Sequence, residues 1–247
     1  FHKNKRLIKT VGFGERTYIG DPFNTVRLFN EKEVDEIFIL DIDATREGRE
    51  PDFGFIKELA SECFMPLAYG GGLRSAHSCE QVCRAGVEKV VLGSHINDIE
   101  LIRASSMSLG VQAIVGCFDY SASGEQAKFN TRDGSSVNLV DAIDVAVDAG
   151  LGEVLLQSMD RDGERSQYDL ETLHLVANRY DVPLIALGGA RDSSSFLPAF
   201  FTGASAVASG SAFCFVGNLR AVLVNYPNRG QMKSIEADLS RLESQGV

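Results

Sequence analysis

The sequence predicts an α/β fold, a (β/α)8 TIM barrel of two similar half-barrels whose first strand is missing or truncated in this chain. Three observations predict it. Short strand-like runs alternate strictly with amphipathic helical runs, the pattern of a parallel sheet. The strand-like runs are near-continuously apolar, as strands covered on both faces must be. Blocks also recur at one spacing. PLAYGGG from Pro66 matches PLIALGG from Pro183, the strand at Glu36 matches that at Glu153, and AGVEKVVLGS from Ala85 matches TGASAVASGS from Thr202, each pair 117 residues apart.

In chain order, Leu7–Val11 (LIKTV) reads as a hairpin arm in the first loop. Strands are expected at Glu36–Asp41, Pro66–Tyr69, Lys89–Leu92, Gln112–Asp119, Glu153–Gln157, Pro183–Leu187 and Ala204–Ser209. Helical patterns lie at Asp21–Glu33, Asp52–Cys63, Ser75–Arg84, Asp98–Ser108, Leu139–Ala149, Asp169–Arg179 and Ser193–Phe201. Those strands number seven, and the sequence opens at Phe1 rather than methionine, so the eighth, first in order, is expected before Phe1. We expect one domain over 1–247, with half-barrels at about 1–110 and 111–230 and a helical tail at 231–247. A doubly wound sheet fits the alternation but gives no reason for the repeat.

Composition removes several functions. The net charge is −10, so most of the surface repels nucleic acid, and an anionic substrate needs local donors and cations. No apolar run approaches membrane-spanning length, and no signal peptide is visible. Cys63, Cys79, Cys83, Cys117 and Cys214 form no CxxC pair. They read as reduced, buried thiols of a cytoplasmic protein; Cys79 and Cys83, four apart in a helical segment, have no nearby pair of histidines to complete a metal site. No metal and no cofactor is expected.

In a barrel the site lies at the C-terminal ends of the strands. Gly70, Gly71 and Gly72 follow one strand, and Gly188 and Gly189 follow its repeat. Gly93-Ser94 and Gly210-Ser211 follow the next strand in each half. Glycine there lets backbone N–H groups approach an anion, and the serines add hydroxyl donors; a tight turn is the plainer explanation of any one pair. Two such clusters suit a phosphorylated substrate with an anionic group at each end, or one active and one silent site. Carboxylates gather at the same rim. Asp119 at the end of its strand is the candidate general acid or base. Asp41, Asp160, Asp162 and the adjoining Gly163 either contact substrate or structure their loops. Lys9 is a candidate phosphate contact, or simply an exposed lysine. Glu36, Lys89 and Glu153 stand first in their strands and so ring the opposite face, as a salt-bridge plug or as a gate into the barrel.

Together these residues resemble the cyclase subunit of imidazole glycerol phosphate synthase. The motifs are GDP at Gly20–Pro22, DEIFILDIDA at Asp35–Ala44, YGGG at Tyr69–Gly72, SMDRDGERSQYD at Ser158–Asp169 and LGGA at Leu187–Ala190. The resemblance covers almost the whole chain. It implies a glutaminase subunit docked at the bottom of the barrel, releasing ammonia that passes a charged gate. Glu36, Lys89 and Glu153 match three of four gate residues; the fourth, an arginine, would precede Phe1. It also implies a bisphosphate substrate, a phosphoribulosyl aminoimidazole carboxamide nucleotide. Ammonia attack, ring closure and carbon–nitrogen cleavage convert it to imidazole glycerol phosphate and an aminoimidazole carboxamide ribotide in histidine biosynthesis. The related isomerase of the pathway shares the two-half barrel, but DRDG…YD and the charged bottom ring resemble the cyclase more.

Departures from that pattern matter. The family uses two aspartates as acid and base. Asp119 matches the second, whereas the first falls on Phe1 or His2. Gln157 replaces a threonine, Gly93 an asparagine and Gln167 a glycine. Losing one member of an acid–base pair costs a factor on the order of 10² to 10⁴ in rate. KTVGFGERTYIGDPFNTVRLFNEKEVDEIF and RAVLVNYPNR resemble cyclase paralogues of surface-polysaccharide clusters, which implies a sugar amidotransferase as a further partner. Three readings follow: a cyclase-type subunit diverged toward sugar amidation, an ammonia-conducting scaffold without chemistry, and a phosphosugar isomerase without a partner.

Overall fold

The computed structural model describes residues 5–14, 16–131, 134–217 and 221–243. The first elements among the described residues are an antiparallel hairpin of β1 (Leu7–Thr10) and β2 (Arg16–Gly20). Helices and strands then alternate through α1 (Pro22–Glu31), β3 (Ile37–Leu40), α2 (Phe53–Ser61), β4 (Leu67–Gly70), α3 (Ala76–Arg84), β5 (Lys89–Leu92) and α4 (Ile99–Leu109). β6 (Ile114–Ser121) runs into a small hairpin of β7 (Lys128–Asn130) and β8 (Ser136–Asn138). Then come α5 (Leu139–Asp148), β9 (Glu153–Ser158), α6 (Leu170–Ala177), β10 (Leu184–Leu187), α7 (Phe196–Phe201) and β11 (Ala206–Ala208). A short α8 (Ser211–Cys214), the two-residue strands β12 (Phe215–Val216) and β13 (Ala221–Val222), and α9 (Arg229–Glu243) are the last elements among the described residues.

The long sheet runs β11-β10-β9-β6-β5-β4-β3, and every pairing along this path is parallel. This is a (β/α) barrel of the TIM type, with seven of its strands among the described residues. The expected eighth strand and the first-aspartate position at Phe1 or His2 lie outside those residues.

The half-barrels repeat in detail. β4 and β10 begin 117 residues apart, at Leu67 and Leu184, as do β5 and β11, at Lys89 and Ala206. Helix N-caps repeat at the same spacing: Asp21 with Asn138, and Asp52 with Asp169, each accepting a backbone N–H in the first turn.

Strand alternation builds two cores. Ala68, Val91, Val115, Cys117, Leu155 and Ile185 pack together inside the barrel, with Phe38, Leu40 and Leu187 against them. Their neighbours one residue along, such as Ile39, Leu67, Tyr69, Val90, Leu92 and Ile114, point outward and pack under the helices. The same alternation continues the inward column to polar residues at both ends. Lys89 and Glu153 open β5 and β9, and Glu36 directly precedes β3. At the other end Gly93 directly follows β5, and Gln157 is next to last in β9. Asp119 lies two residues before the end of β6, which runs on to Ser121 into its hairpin.

The sequence reading differs from the structure in places. β6 starts at Ile114 because Val111–Ala113 forms a 3₁₀ turn after Gly110, whose φ is +89°. Ser193–Phe201 splits into a 3₁₀ turn and α7, since the Asp192 side chain accepts from Ser194 N–H and tightens the entry. The β7–β8 hairpin was not expected, because its strands are short and mostly polar. The tail helix begins at Arg229, two residues before the expected 231. Cys79 and Cys117 are buried, but Cys63, Cys83 and Cys214 are only half-buried.

Candidate functional site

At the C-terminal ends of the strands lies a cavity of about 350 Å³. Its floor is the end of the inward column: Leu40, Gly70, Val91, Gly93, Cys117, Gln157 and Asp119. Its walls are the loops after β3, β4 and β5, including Asp41, Gly71, Gly72 and Ser94, and its roof includes Thr10, Phe13 and Arg16 from the β1–β2 hairpin. The first-half glycine cluster and Asp119 therefore share one space.

Asp119 projects inward because it stands two residues beyond Cys117 and four beyond Val115 on β6. Burial pushes its carboxyl up to about 6; a hydrogen bond from the Cys117 thiol restrains the rise, and the charge of Asp162 adds to it. Cys117 Sγ lies 3.7 Å from Asp119 Oδ1 and 3.9 Å from Gln157 Oε1. Burial, and then Asp119 itself, drive the Cys117 thiol well above its ordinary range, so it acts here as a proton donor in a hydrogen bond, not as a thiolate.

The other rim carboxylates have structural partners. Asp41 is buried, takes N–H groups from Asp43 and Ala44, and is forked by Arg49 at 3.2 Å to each oxygen. Asp160 is exposed and accepts Ala122 N–H at 2.9 Å. Asp162 is buried and ion-paired with Lys9, Nζ to Oδ1 2.5 Å. The Asp162 carbonyl also takes the Gly12 N–H, and a side chain at Gly163 would meet the backbone of Val11. Lys9 is thus an anchored ion-pair partner in the described conformation, its stem lying against Gly210.

The double glycines are first of all demands of the fold. At Gly71 (φ +121°) a Cβ would stand 2.4 Å from Asp41 O, and at Gly72 (φ +71°) 2.6 Å from Arg49 O. At Gly188 it would stand 2.7 Å from Ser158 O, and at Gly189 2.2 Å from Gln167 O. Gly93 differs, since its nearest neighbour would be 3.8 Å away and its φ is ordinary. Gly93 borders the cavity, so ligand space rather than packing is what its missing side chain provides. Gly188, Gly189, Gly210 and the buried Ser211 stand at the equivalent rim of the second half but do not line this cavity.

At the opposite end, Lys89 Nζ lies 3.2 Å from Glu36 Oε1 and 2.8 Å from Glu153 Oε1. Burial raises the Glu36 carboxyl despite Lys89. Burial alone would lower Lys89, but the hydrogen bond to Glu153 and the charges of both carboxylates outweigh it and raise the ammonium. Glu36 Oε1 is buried, and its contact with Lys89 is an ion pair whose hydrogen bond goes to the other oxygen, Oε2.

Several cavity residues were not singled out in the sequence: Arg16, Arg46, Thr45, His95 and Cys117. Cys117 was legible in principle, two residues before Asp119 on the same inward column. The arginines were not, because only folding brings Arg16 beside Asp43.

Comparison with known proteins assigns the chain to a family. The model of a family described as histidine biosynthesis protein matches residues 2–219. This chain belongs to that family. It is 42% identical over 235 residues to a Pseudomonas aeruginosa protein called "Putative imidazole glycerol phosphate synthase subunit hisF2", covering 92% of each chain. It is 39% identical to a Leptospira interrogans protein of like description, subunit HisF, covering 93% of each. It is also 38% identical to the imidazole glycerol phosphate synthase subunit HisF of Hyphomonas neptunium, covering 86% of each. Among the described residues of this HisF-type chain, no helix is long and apolar enough to cross a membrane.

Proposed function

We propose that this chain is a cyclase-type subunit of the imidazole glycerol phosphate synthase class, diverged to serve amidation of a surface-polysaccharide sugar. One observation carries the reading: a single inward column of side chains has an ion-paired polar end at Glu36, Lys89 and Glu153 and a cavity holding Asp119 at the other. In this reading a glutaminase subunit docks over the polar end and supplies ammonia. The barrel interior leads from that end toward the cavity. A phosphorylated substrate rests on the loops of Gly71, Gly72, Gly93 and Ser94. Asp119, poised near neutrality, takes up and returns the proton as ammonia attacks. In the fully histidine-type reaction a second aspartate shares that work, and the sequence has Phe1 or His2 in its place.

The test is turnover of phosphoribulosyl aminoimidazole carboxamide nucleotide with ammonium, set beside complementation of a histidine auxotroph. The reading expects slow conversion, on the order of 10² to 10⁴ below a two-aspartate cyclase, and no robust growth. Robust growth overturns the diverged role. Failure to bind any glutaminase on co-purification overturns the ammonia route. A sugar amidotransferase is the third member expected in that complex.

A further inference from the structure

Asp43 stands two residues beyond Asp41 in the loop after β3 and is completely buried. Arg16 forks it from the hairpin, with Nη2 to Oδ1 2.7 Å and Nη1 to Oδ2 3.1 Å. Arg46 pairs with the same Oδ1 from the other side. Both arginines line the cavity, and their side chains keep 33% and 67% of their exposure. The neighbouring Asp41 shows what fastening a loop requires here, one guanidinium and two backbone N–H groups. Asp43 is shared between two guanidiniums, so both arginines are held with part of their N–H edge at the cavity wall. A guanidinium carries five N–H donors, and the fork to Asp43 leaves several of Arg16's unspent. This matters in a chain of net charge −10, where an anion reaches the site only if local cations outweigh the long-range field.

We propose that Arg16 and Arg46, held in place by Asp43, form a two-arginine clamp for the phosphate of a sugar-phosphate substrate lodged against Gly72, Gly93 and Ser94. The inference rests on the phosphate reading of that cavity and adds the side chains that bind and select the anion. Asp43 is a positioning residue. It fixes both planar forks before the ligand arrives, so little side-chain entropy is lost on binding. Because Arg16 comes from the hairpin, its pair with Asp43 ties the hairpin to the loop after β3 before phosphate arrives.

The test is an amide NMR titration of the full chain with inorganic phosphate. In the wild type the amides of Gly71, Gly72, Gly93 and Ser94 shift and saturate. Arg16→Gln and Arg46→Gln each weaken that binding about tenfold or more, with the remaining amide spectrum unchanged. Arg46→Lys, which keeps the charge but loses the fork, falls in between. Arg103→Gln, on the outer helix α4, leaves binding as it was. If the glycine amides shift with wild-type affinity in both glutamine variants, the clamp is overturned and the phosphate site stands. If those amides do not respond in the wild type, the phosphate reading and the clamp fall together. Should the single variants unfold, the same titration of Arg46→Lys decides, with unchanged affinity counting against the clamp.

Discussion

Asp119 is where one residue's surroundings set its chemistry. An exposed aspartate titrates near 3.9, whereas burial takes this one to about 6. The folded state therefore binds the proton more tightly than the unfolded state. The stability gained is fully present below about pH 4 and is lost as pH rises through 6. Asp119→Asn should then raise stability at pH 7.5 by on the order of 1–3 kcal/mol, with no gain near pH 4, while turnover falls by about 10² to 10⁴. Thermal melts at the two pH values check the first part; an equal change at both would show that the carboxyl is not perturbed. The glycines make a second contrast. Gly189→Ala forces a Cβ to 2.2 Å from Gln167 O at φ +103° and should cost about 3 kcal/mol or more. Gly93→Ala meets nothing closer than 3.8 Å; its unfolding free energy from urea titration should stay within about 0.5 kcal/mol of wild type, and phosphate binding should weaken.

Among the elements, equivalent helices of the two halves begin alike and are secured differently. Asp52 caps α2 from an exposed position, accepting Phe55 N–H at 3.0 Å and pairing with Lys5. Asp169 caps α6 from a buried one, where Tyr120 Oη, Ser123 Oγ and Thr172 Oγ1 all donate to it. Asp52→Ala should cost about 1 kcal/mol. Asp169→Ala strands several buried donors and should cost about 3 kcal/mol or more. Denaturant midpoints check the ratio, and equal losses would mean that the buried network adds nothing. The Phe55 N–H, more than Lys5, holds the Asp52 carboxyl below its ordinary range. Its share of stability is present above about pH 4 and is lost as pH falls below that.

At the scale of the whole molecule, two polar ends share one apolar interior. Lys89 sits between two carboxylates at one end, and Asp119 faces the cavity at the other. If ammonia travels that way, Lys89→Ala should depress glutamine-supported turnover about tenfold or more relative to ammonium-supported turnover. Parallel assays with a glutaminase partner and with ammonium alone check it; an equal fall in both would make the trio a structural plug.

Much of this was legible in the sequence because it is periodic. Alternation fixes which residues of each strand face inward, and the 117-residue repeat fixes which loops share a rim. Those two regularities yield the (β/α) barrel and the placing of Glu36, Lys89 and Glu153 at one end of the strands and Asp119 toward the other. Tertiary structure alone decided what each polar side chain meets. Asp41 spends its oxygens on Arg49, Lys9 on Asp162, and Asp43 holds two arginines at the cavity wall, 27 residues beyond one and three before the other. Such pairings depend on where loops of irregular length return in space. Periodicity says nothing about that, because hydrogen bonds and ion pairs act over a few ångströms and not along the chain.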